Sequence, residues 1–241
     1  MNAADVETLE RATVEAVAPN EMLEIGGWLV ALDGGTIGRA KSAVPLSHDL
    51  GPQALDEIEA AYRQRGLKPA FRIADVPGLE AVRAELRRRG YPVEQPTIFE
   101  TGVVRDMAAF SEGSAVILDR PSDAWGAVFL GEGFDPADGA NRVAALTRSP
   151  DAIYGAAGEG GLVAAVGVMS FGHGWAGIHG MRTAPASRGK GYASAILATL
   201  GRAAQARGVE RVFLQVEEAN PARAIYRRAG FSPAWRYHYW R

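Results

Sequence analysis

The fold is decided by the segment Trp175-Ala-Gly-Ile-His-Gly-Met-Arg-Thr183 and its continuation Ala184-Pro-Ala-Ser-Arg-Gly-Lys-Gly-Tyr-Ala193. The first nine residues are predicted to form a β-strand, and the apolar spacing that follows predicts a helix from Gly191 to Arg207, ended by Gly208. A helix entered through a glycine-rich turn presents the unpaired N–H groups of its first turn to solvent. These donors and the positive end of the helix dipole suit a diphosphate.

The residue types in this turn favour the same ligand. Gly189 and Gly191 let phosphate oxygens approach the backbone, and Arg188 and Lys190 add positive charge. Two other phosphate-binding motifs are excluded. A P-loop requires Ser or Thr after its lysine, whereas Gly191 follows Lys190, and a dinucleotide fingerprint requires a third glycine where Ser194 stands.

Strands and helices alternate along the rest of the chain. Periodicity and capping residues predict helices near 5–17, 52–65, 79–89 and 221–229, with two more starting at Asp123 and Asp135. The same patterns predict strands over 27–31, 36–44, 70–73, 93–104, 116–118, 152–157, 162–170, 211–216 and 234–240. The strands over 27–31 and 36–44 are expected to form a hairpin around Gly34-Gly35. The order of elements indicates an α/β (α+β) fold.

Composition excludes several classes of protein. The chain has 241 residues, of which 47% are hydrophobic and 22% charged, as in ordinary globular proteins, and its length accommodates two domains. With 26 basic and 28 acidic residues, we expect no nucleic-acid partner and no membrane surface. The absence of cysteine excludes disulfides and thiolate chemistry. Residues 1–18 do not resemble a signal or transit peptide, and no apolar run approaches the about 20 residues of a membrane span, so a cytoplasmic location is expected.

The two halves of the chain resemble each other. Arg83-Ala-Glu-Leu-Arg-Arg-Arg-Gly-Tyr91 and Arg223-Ala-Ile-Tyr-Arg-Arg-Ala-Gly-Phe231 share five of nine residues, and Pro45 aligns with Pro185 at the same offset of 140. Arg65-Gly66 and Phe71 align with Arg207-Gly208 and Phe213 at an offset of 142. The near-constant offset indicates a duplication, although helix-glycine-aromatic patterns also recur by chance in arginine-rich chains. The stretch 46–55 of the first half contains no Gly-x-Gly, so that half is expected to have lost its phosphate site.

The motif Arg188-x-x-Gly-x-Ala193 resembles the Arg/Gln-x-x-Gly-x-Gly/Ala signature of the GNAT superfamily of N-acetyltransferases. The similarity extends over 175–231 and includes Tyr226 in the family's order. The first half matches only through the apparent duplication. The resemblance implies a GNAT-like mixed sheet with helices on both faces, divided into a degenerate N-terminal domain over 1–110 and a catalytic domain over 111–241.

The resemblance also implies a co-substrate, acetyl-CoA. Its pantetheine arm is expected to lie between the strands 175–183 and 211–216, which precede and follow the predicted helix from Gly191 to Arg207. The residues expected to bind it are Met181, Thr183, Arg188, Gly189, Lys190, Gly191, Tyr192, Ala193 and Asn220. No metal is expected. Asn220 also has a sufficient structural explanation, as the cap of a helix that starts at Pro221. Gly180 marks either a bulge where the strands separate or an ordinary glycine near a turn.

The implied reaction is direct attack of a neutral primary amine on the thioester of acetyl-CoA. Tyr226 matches the family's general acid, and the alternative is that it is only a core aromatic of its helix. For the general base, Glu217 at the carboxyl end of its strand is the candidate. His179 lies in the strand before the turn, where a lone histidine is more often structural.

We therefore expect an acetyl-CoA-dependent acyltransferase that acts on a small-molecule or peptide amine as a monomer or homodimer. The alternative is a non-catalytic acyl-CoA sensor or interaction protein. The presence of Tyr226 favours the enzyme.

Overall fold

The computed structural model describes residues 3–241, so Met1 and Asn2 lie outside the described residues. Residues 3–241 form eight α-helices and eleven β-strands. The helices are α1 (Ala3–Glu15), α2 (Leu55–Gln64), α3 (Glu80–Arg88), α4 (Val104–Ala109), α5 (Asp123–Leu130), α6 (Pro136–Thr147), α7 (Tyr192–Ala206) and α8 (Arg223–Arg228). The strands are β1 (Glu21–Ile25), β2 (Trp28–Leu32), β3 (Ala43–Pro45), β4 (Phe71–Ala74), β5 (Val93–Val103), β6 (Val116–Leu118), β7 (Ala152–Glu159), β8 (Leu162–Gly172), β9 (Trp175–Thr183), β10 (Arg211–Glu217) and β11 (Ser232–Trp240).

All eleven strands of residues 3–241 belong to one sheet, in the order β1-β2-β3-β4-β11-β5-β10-β9-β8-β7-β6. The pairs β3/β4 and β9/β10 are parallel, and the other neighbouring pairs are antiparallel. On either side of the central β11/β5 pair, the sheet continues with one antiparallel pair, β4/β11 or β5/β10, then with a parallel pair, and then with antiparallel pairs. The predicted mixed sheet is confirmed.

The two central strands are exchanged between the halves of the sequence. β5 belongs to the first half, yet it pairs with β10 of the second half from Val103↔Arg211 to Thr97↔Glu217. β11 belongs to the second half, yet it lies between β4 and β5 and pairs with both. Neither half of the sequence therefore completes its sheet alone. The predicted boundary at 110/111 falls between α4 and β6, in a chain whose sheet is continuous across it.

Helices cover both faces of the sheet, as predicted. Tyr154 and Gly155 are neighbours on β7 and point to opposite faces. The ring of Tyr154 packs edge-on against Trp125 of α5, with ring centroids 5.5 Å apart. A Cβ at Gly155 would lie 2.8 Å from Ile196 of α7. The absence of a side chain at Gly155 therefore lets α7 pack closely on the sheet.

An aromatic cluster joins the two halves at the centre of the sheet. Phe99 on β5 stacks against Phe213 on β10 at 5.5 Å and against Trp235 on β11 at 4.3 Å between ring centroids. All three rings are buried. Burial of an aromatic ring contributes roughly 1.5–3 kcal/mol, so these contacts reinforce the exchanged backbone hydrogen bonds.

The hairpin predicted around Gly34-Gly35 is correct in its pairing, since β2 and β3 are antiparallel neighbours, but wrong in its tight turn and in the length of its second strand. The tight hairpin joins β1 to β2, and Gly26 and Gly27 make its two-residue turn with φ angles of +55° and +82°. Both φ values are positive, which is the geometry that glycine permits in a tight hairpin. The segment after Gly35 contains the 3-10 helix Gly38–Lys41 before β3 pairs with β2. β1 was not predicted because its polar and apolar residues do not alternate. Most of its side chains are also exposed.

We expect the exchanged strands to hold the halves together after the chain is cut. A protease site inserted after Glu112, in the segment between α4 and β6, should yield two pieces that co-elute in size-exclusion chromatography and unfold in one transition. The reason is that β5 in one piece is hydrogen-bonded to β10 and β11 in the other. Uncut protein with the same insertion is the control. Two separate folded species would contradict the exchange.

Candidate active site

β9 and β10 separate part-way along their length. They pair at three positions, from Val212↔Ala176 to Leu214↔Ile178. Both strands then continue, to Thr183 and Glu217, without pairing further with each other. Backbone groups on the facing edges beyond Ile178 are therefore left for a ligand or solvent.

Gly180 lies where this separation begins. Its φ is +57°, and the register between β8 and β9 shifts between Val166 and Val168, on the strand opposite. A Cβ at Gly180 would also lie 2.6 Å from Leu146, which only glycine avoids. The bulge and the close packing explain why glycine stands here.

The turn ahead of α7 has the geometry expected of an anion cradle. Gly189 and Gly191 have φ angles of +79° and +83°, and a Cβ at either would meet no atom within 4 Å. The amide of Ala195 donates to the carbonyl of Gly191, so the amides of the preceding first-turn residues have no acceptor in the helix. The side chains of Arg188 and Lys190 are exposed beside them. Open space, free donors and positive charge together fit a diphosphate.

A cavity of about 360 Å³ lies at the separated ends of β9 and β10. Of the residues predicted from the sequence, it brings together Met181, Glu217, Asn220 and Tyr226, and His179 also lines it. Thr183 and the cradle residues 188–193 do not line this cavity. They continue the chain from the end of β9. The predicted residues therefore occupy a cavity and an adjoining open turn.

Tyr226 of α8 is buried at the cavity wall, and its ring contacts Phe231 at 6.2 Å between centroids. Within residues 3–241 its hydroxyl has no hydrogen-bond partner. Burial, together with the nearby carboxylate of Glu100, raises the pKa of Tyr226 to about 12. The phenol is therefore protonated near neutral pH and has a proton to donate.

The two candidate bases differ in environment. Glu217 is exposed, and its Oε1 accepts a hydrogen bond of 2.8 Å from Gln95 Nε2 of β5. His179 is buried, and its Nε2 lies 3.0 Å from Ser170 Oγ. Burial and the positive charge of Arg39 hold the pKa of His179 well below its usual range. His179 is therefore neutral at pH 7 and its ring is fixed by Ser170.

Asn220 differs in detail from its predicted position. The helix starts at Arg223 and not at Pro221. The Oδ1 of Asn220 accepts a hydrogen bond of 2.9 Å from the amide of Ala222, in the turn that leads into α8. Asn220 therefore stabilises the entrance of the helix by an Asx-type turn, two residues before the N-cap position at Ala222.

Much of the cavity wall was not predicted from the sequence. The first half of the chain contributes Thr36, Ile37, Gly38, Arg39, Gln95 and Thr97, and β11 contributes Tyr237 and Tyr239. No local motif marks these residues. Gln95, Thr97, Tyr237 and Tyr239 reach the cavity on the exchanged strands β5 and β11, and residues 36–39 reach it from the segment between β2 and β3. The aromatic alternation of the last strand was the only signal, and it indicated packing.

Comparisons with known proteins agree with this geometry. The chain is 27% identical over 246 residues to the Bacillus subtilis protein named "Uncharacterized N-acetyltransferase YobR", covering 98% of each chain. Its fold is similar to a GCN5-related N-acetyltransferase from Kribbella flavida, with a TM-score of 0.72, 17% identity and coverage of 98% of this chain and 94% of that one. A "tandem GNAT protein from the clavulanic acid biosynthesis pathway" gives a TM-score of 0.66 at 16% identity, covering 98% and 92%.

The fold and these relatives define the class of protein, a GNAT-type N-acetyltransferase. The chain belongs to the family described as "Probable histone acetyltransferase Rv0428c C-terminal", whose model matches residues 3–240. Across residues 3–241, no helix is both long and apolar enough to cross a membrane. The same part of the chain contains no cluster of three or more His, Asp or Glu side chains arranged to hold a metal ion.

Gly191→Ala is expected to weaken acetyl-CoA binding by at least about tenfold, because the added methyl group enters the open space beside the free amides. Forcing alanine to adopt a positive φ also costs about 1–2 kcal/mol of stability. Gly208→Ala is the matched control, since Gly208 follows the other end of α7 with φ +73° and equally open surroundings. Both variants should lose similar stability in urea, and only Gly191→Ala should lose affinity in calorimetry. Equal affinities would overturn the cradle.

Proposed function

We propose that this protein transfers an acetyl group from acetyl-CoA to a primary amine by direct attack. The observation that carries the proposal is the continuity of three features: the open glycine turn, the separated edges of β9 and β10, and a cavity containing a protonated Tyr226. A ligand with a diphosphate at one end and a reactive group at the other fits that order. A cytoplasmic location and a monomeric or homodimeric state stay predictions.

The proposed binding residues divide by their part of the ligand. The backbone of Met181 and Thr183 pairs with the pantetheine arm, because β9 has no strand partner there on the β10 side. The diphosphate is bound by the turn residues Arg188, Gly189, Lys190, Gly191, Tyr192 and Ala193. Asn220 lines the cavity and adds a polar contact from the entrance of α8.

Acetyl-CoA supplies the acetyl group as a thioester, whose carbonyl carbon the neutral amine attacks while the carbon–sulfur bond breaks. Tyr226 donates its proton to the departing sulfur. The Tyr226 hydroxyl, whose pKa is raised by burial to about 12, carries that proton throughout the neutral range, as an ordinary tyrosine also does. A general acid of this kind contributes about 10²–10⁴ in rate.

Glu217 is the proposed base that removes the proton from the attacking amine. It lines the same cavity as Tyr226, and its side chain is exposed, so a proton that it accepts has a path to solvent. Its hydrogen bond from Gln95 orients the carboxylate. His179 serves a structural role in this proposal, since its Nε2 is engaged by Ser170.

We propose that residues 1–110 are a degenerate GNAT-like half and that residues 111–241 hold the acetyl-CoA site. The segment between β3 and α2 forms no glycine turn, and α2 carries Asp56 and Glu57 in its first turn, which repel a phosphate. His48 in this segment packs against Trp235 at 4.9 Å between ring centroids. Leu86, which aligns with Tyr226, is a fully buried core residue.

The family description names a histone acetyltransferase, and such an acceptor is a lysine side-chain amine. In this chain, the acceptor enters a cavity whose walls come from both halves of the sequence. The common requirement is an unprotonated primary amine that reaches the thioester.

Tyr226→Phe is expected to lower kcat by at least about tenfold while leaving acetyl-CoA affinity unchanged, because the hydroxyl acts only as sulfur departs. Tyr154→Phe is the matched control, since the Tyr154 hydroxyl donates to the carbonyl of Leu146 (2.7 Å) away from the cavity. Coenzyme A release across a panel of amines measures both. An unchanged kcat under conditions where chemistry limits turnover would return Tyr226 to a packing role. Binding without turnover of any amine by the unmodified protein would favour the sensor.

We expect one acetyl-CoA per chain. Isothermal titration of the intact protein should give a stoichiometry of one, and Gly191→Ala should weaken that single site without revealing another. The reason is that the first half has no Gly-x-Gly turn ahead of α2, and the buried Leu86 stands where Tyr226 stands in the second half. A second binding isotherm that persists in the variant would show that the first half retains a site.

A further inference from the structure

We propose that the amine acceptor carries an anionic oxygen group, carboxylate or phosphate, and that Arg39 binds it. This inference rests on the proposed function, because it concerns the acceptor of the same cavity. Arg39 lies in the first half of the chain, in the 3-10 helix between β2 and β3, and it lines the cavity.

Arg39 has free hydrogen-bonding capacity in the cavity. Its Nη1 donates to Gln215 Oε1 at 3.3 Å, and its buried Nε has no partner within residues 3–241. No carboxylate of the described chain lies within ion-pair distance of it. A guanidinium binds a carboxylate or phosphate by two parallel hydrogen bonds, and the Arg39 nitrogens without an acceptor within residues 3–241 are Nε, which is buried, and the second Nη.

The contact with Gln215 sets the orientation of Arg39. The Oε1 of Gln215 also accepts a hydrogen bond of 3.0 Å from the Tyr237 hydroxyl, and its Nε2 donates to Thr13 Oγ1 at 2.9 Å. The amide is therefore held from β11 and from α1. Because the acceptor of the Nη1 hydrogen bond is held in place, the orientation of the planar guanidinium is restricted.

The other charges of the cavity do not neutralise Arg39. Arg142 pairs with Asp138 at 2.6 Å, and Arg241 pairs with Glu94 at 3.0 Å. The guanidinium of Arg182 lies 3.9 Å from the ring centroid of Phe134. The acidic residue that lines the cavity is Glu217, which is the proposed base. The wall therefore carries four arginines, and Arg39 is the one without a carboxylate or an aromatic partner.

A buried cation without a partner is unfavourable, which makes the site selective. Burial, with the positive charge of Arg142 nearby, lowers the pKa of Arg39. An acceptor that brings a negative charge satisfies the guanidinium in a region of reduced dielectric, whereas one that brings a second positive charge is repelled. The cavity volume is near the lower end of the range for small-molecule sites, which suits an acceptor of amino-acid size.

The experiment compares acceptors that differ in charge. L-methionine and L-methioninamide share a side chain and an amine but differ in the carboxylate, phosphoethanolamine carries a phosphate, and spermidine is wholly cationic. Coenzyme A release gives kcat and KM for each, in the unmodified protein and in Arg39→Gln, Arg39→Lys and Arg105→Gln. Arg105 is an exposed arginine on α4, outside the cavity, so Arg105→Gln controls for the loss of one positive charge.

We expect the unmodified protein to prefer an anionic amine over methioninamide and spermidine. Arg39→Gln should raise KM for the anionic amine by about tenfold or more, since a charge-assisted pair is lost. The increase in KM should be larger for the anionic amine than for methioninamide, and acetyl-CoA affinity should stay that of the unmodified protein. Arg39→Lys should restore part of the loss, and Arg105→Gln should change nothing. Whether methionine or phosphoethanolamine shows the larger effect identifies the anion.

A second measurement separates this inference from the proposed function. Calorimetric titration of L-methionine and of phosphoethanolamine, with coenzyme A present, reports binding without turnover. Binding that is lost in Arg39→Gln, with no amine acetylated, would support the anion site and overturn the transferase. Acetylation of methioninamide or spermidine in preference to the anionic amines, with the same rates in Arg39→Gln, would overturn the anion site and leave the transferase intact.

Discussion

The structure depends on one constraint: the two central strands of the sheet must find partners in opposite halves of the sequence. β5 closes the edge of β10, and β11 closes the edge of β4, so the backbone donors and acceptors at the middle of the sheet are satisfied only when both exchanges have occurred. The buried stack of Phe99, Phe213 and Trp235 adds apolar contacts to the same seam. The halves therefore form one body, although the sequence carries the marks of two.

This seam also explains how β9 and β10 are able to separate. β10 is paired along its whole length with β5, so it does not need β9 to remain in the sheet beyond Leu214. The open edge is consequently a stable feature, and Gly180 allows β9 to bend away from it. The exchanged strands contribute side chains to the resulting cavity as well, with Thr97 from one and Tyr237 from the other. The same two strands therefore hold the centre of the sheet together and line the cavity.

The sequence predicted the local features and missed those that depend on distant pairing. The turn around Gly191, the helix α7 and the boundaries of β5, β6 and β9 follow from glycine placement, capping and periodicity, which are local properties. Repeated sequence patterns indicated two halves, but they contain no information about which strand pairs with which. Arg39 was predicted to lie in a strand over 36–44, whereas it lies in a 3-10 helix and lines the cavity. The chemical roles of Tyr226 and Glu217 were inferred from resemblance and stay predictions.

The exchanged strands also have a consequence during biosynthesis. β4 leaves the ribosome more than half the chain ahead of β11, its neighbour in the finished sheet. In that interval the nascent chain carries an unprotected strand edge, which is the kind of surface that recruits chaperones or pairs with another polypeptide. Pairings so distant along the chain also slow folding. Translation speed and the chaperones that meet the growing polypeptide thereby become part of what secures a correctly assembled molecule.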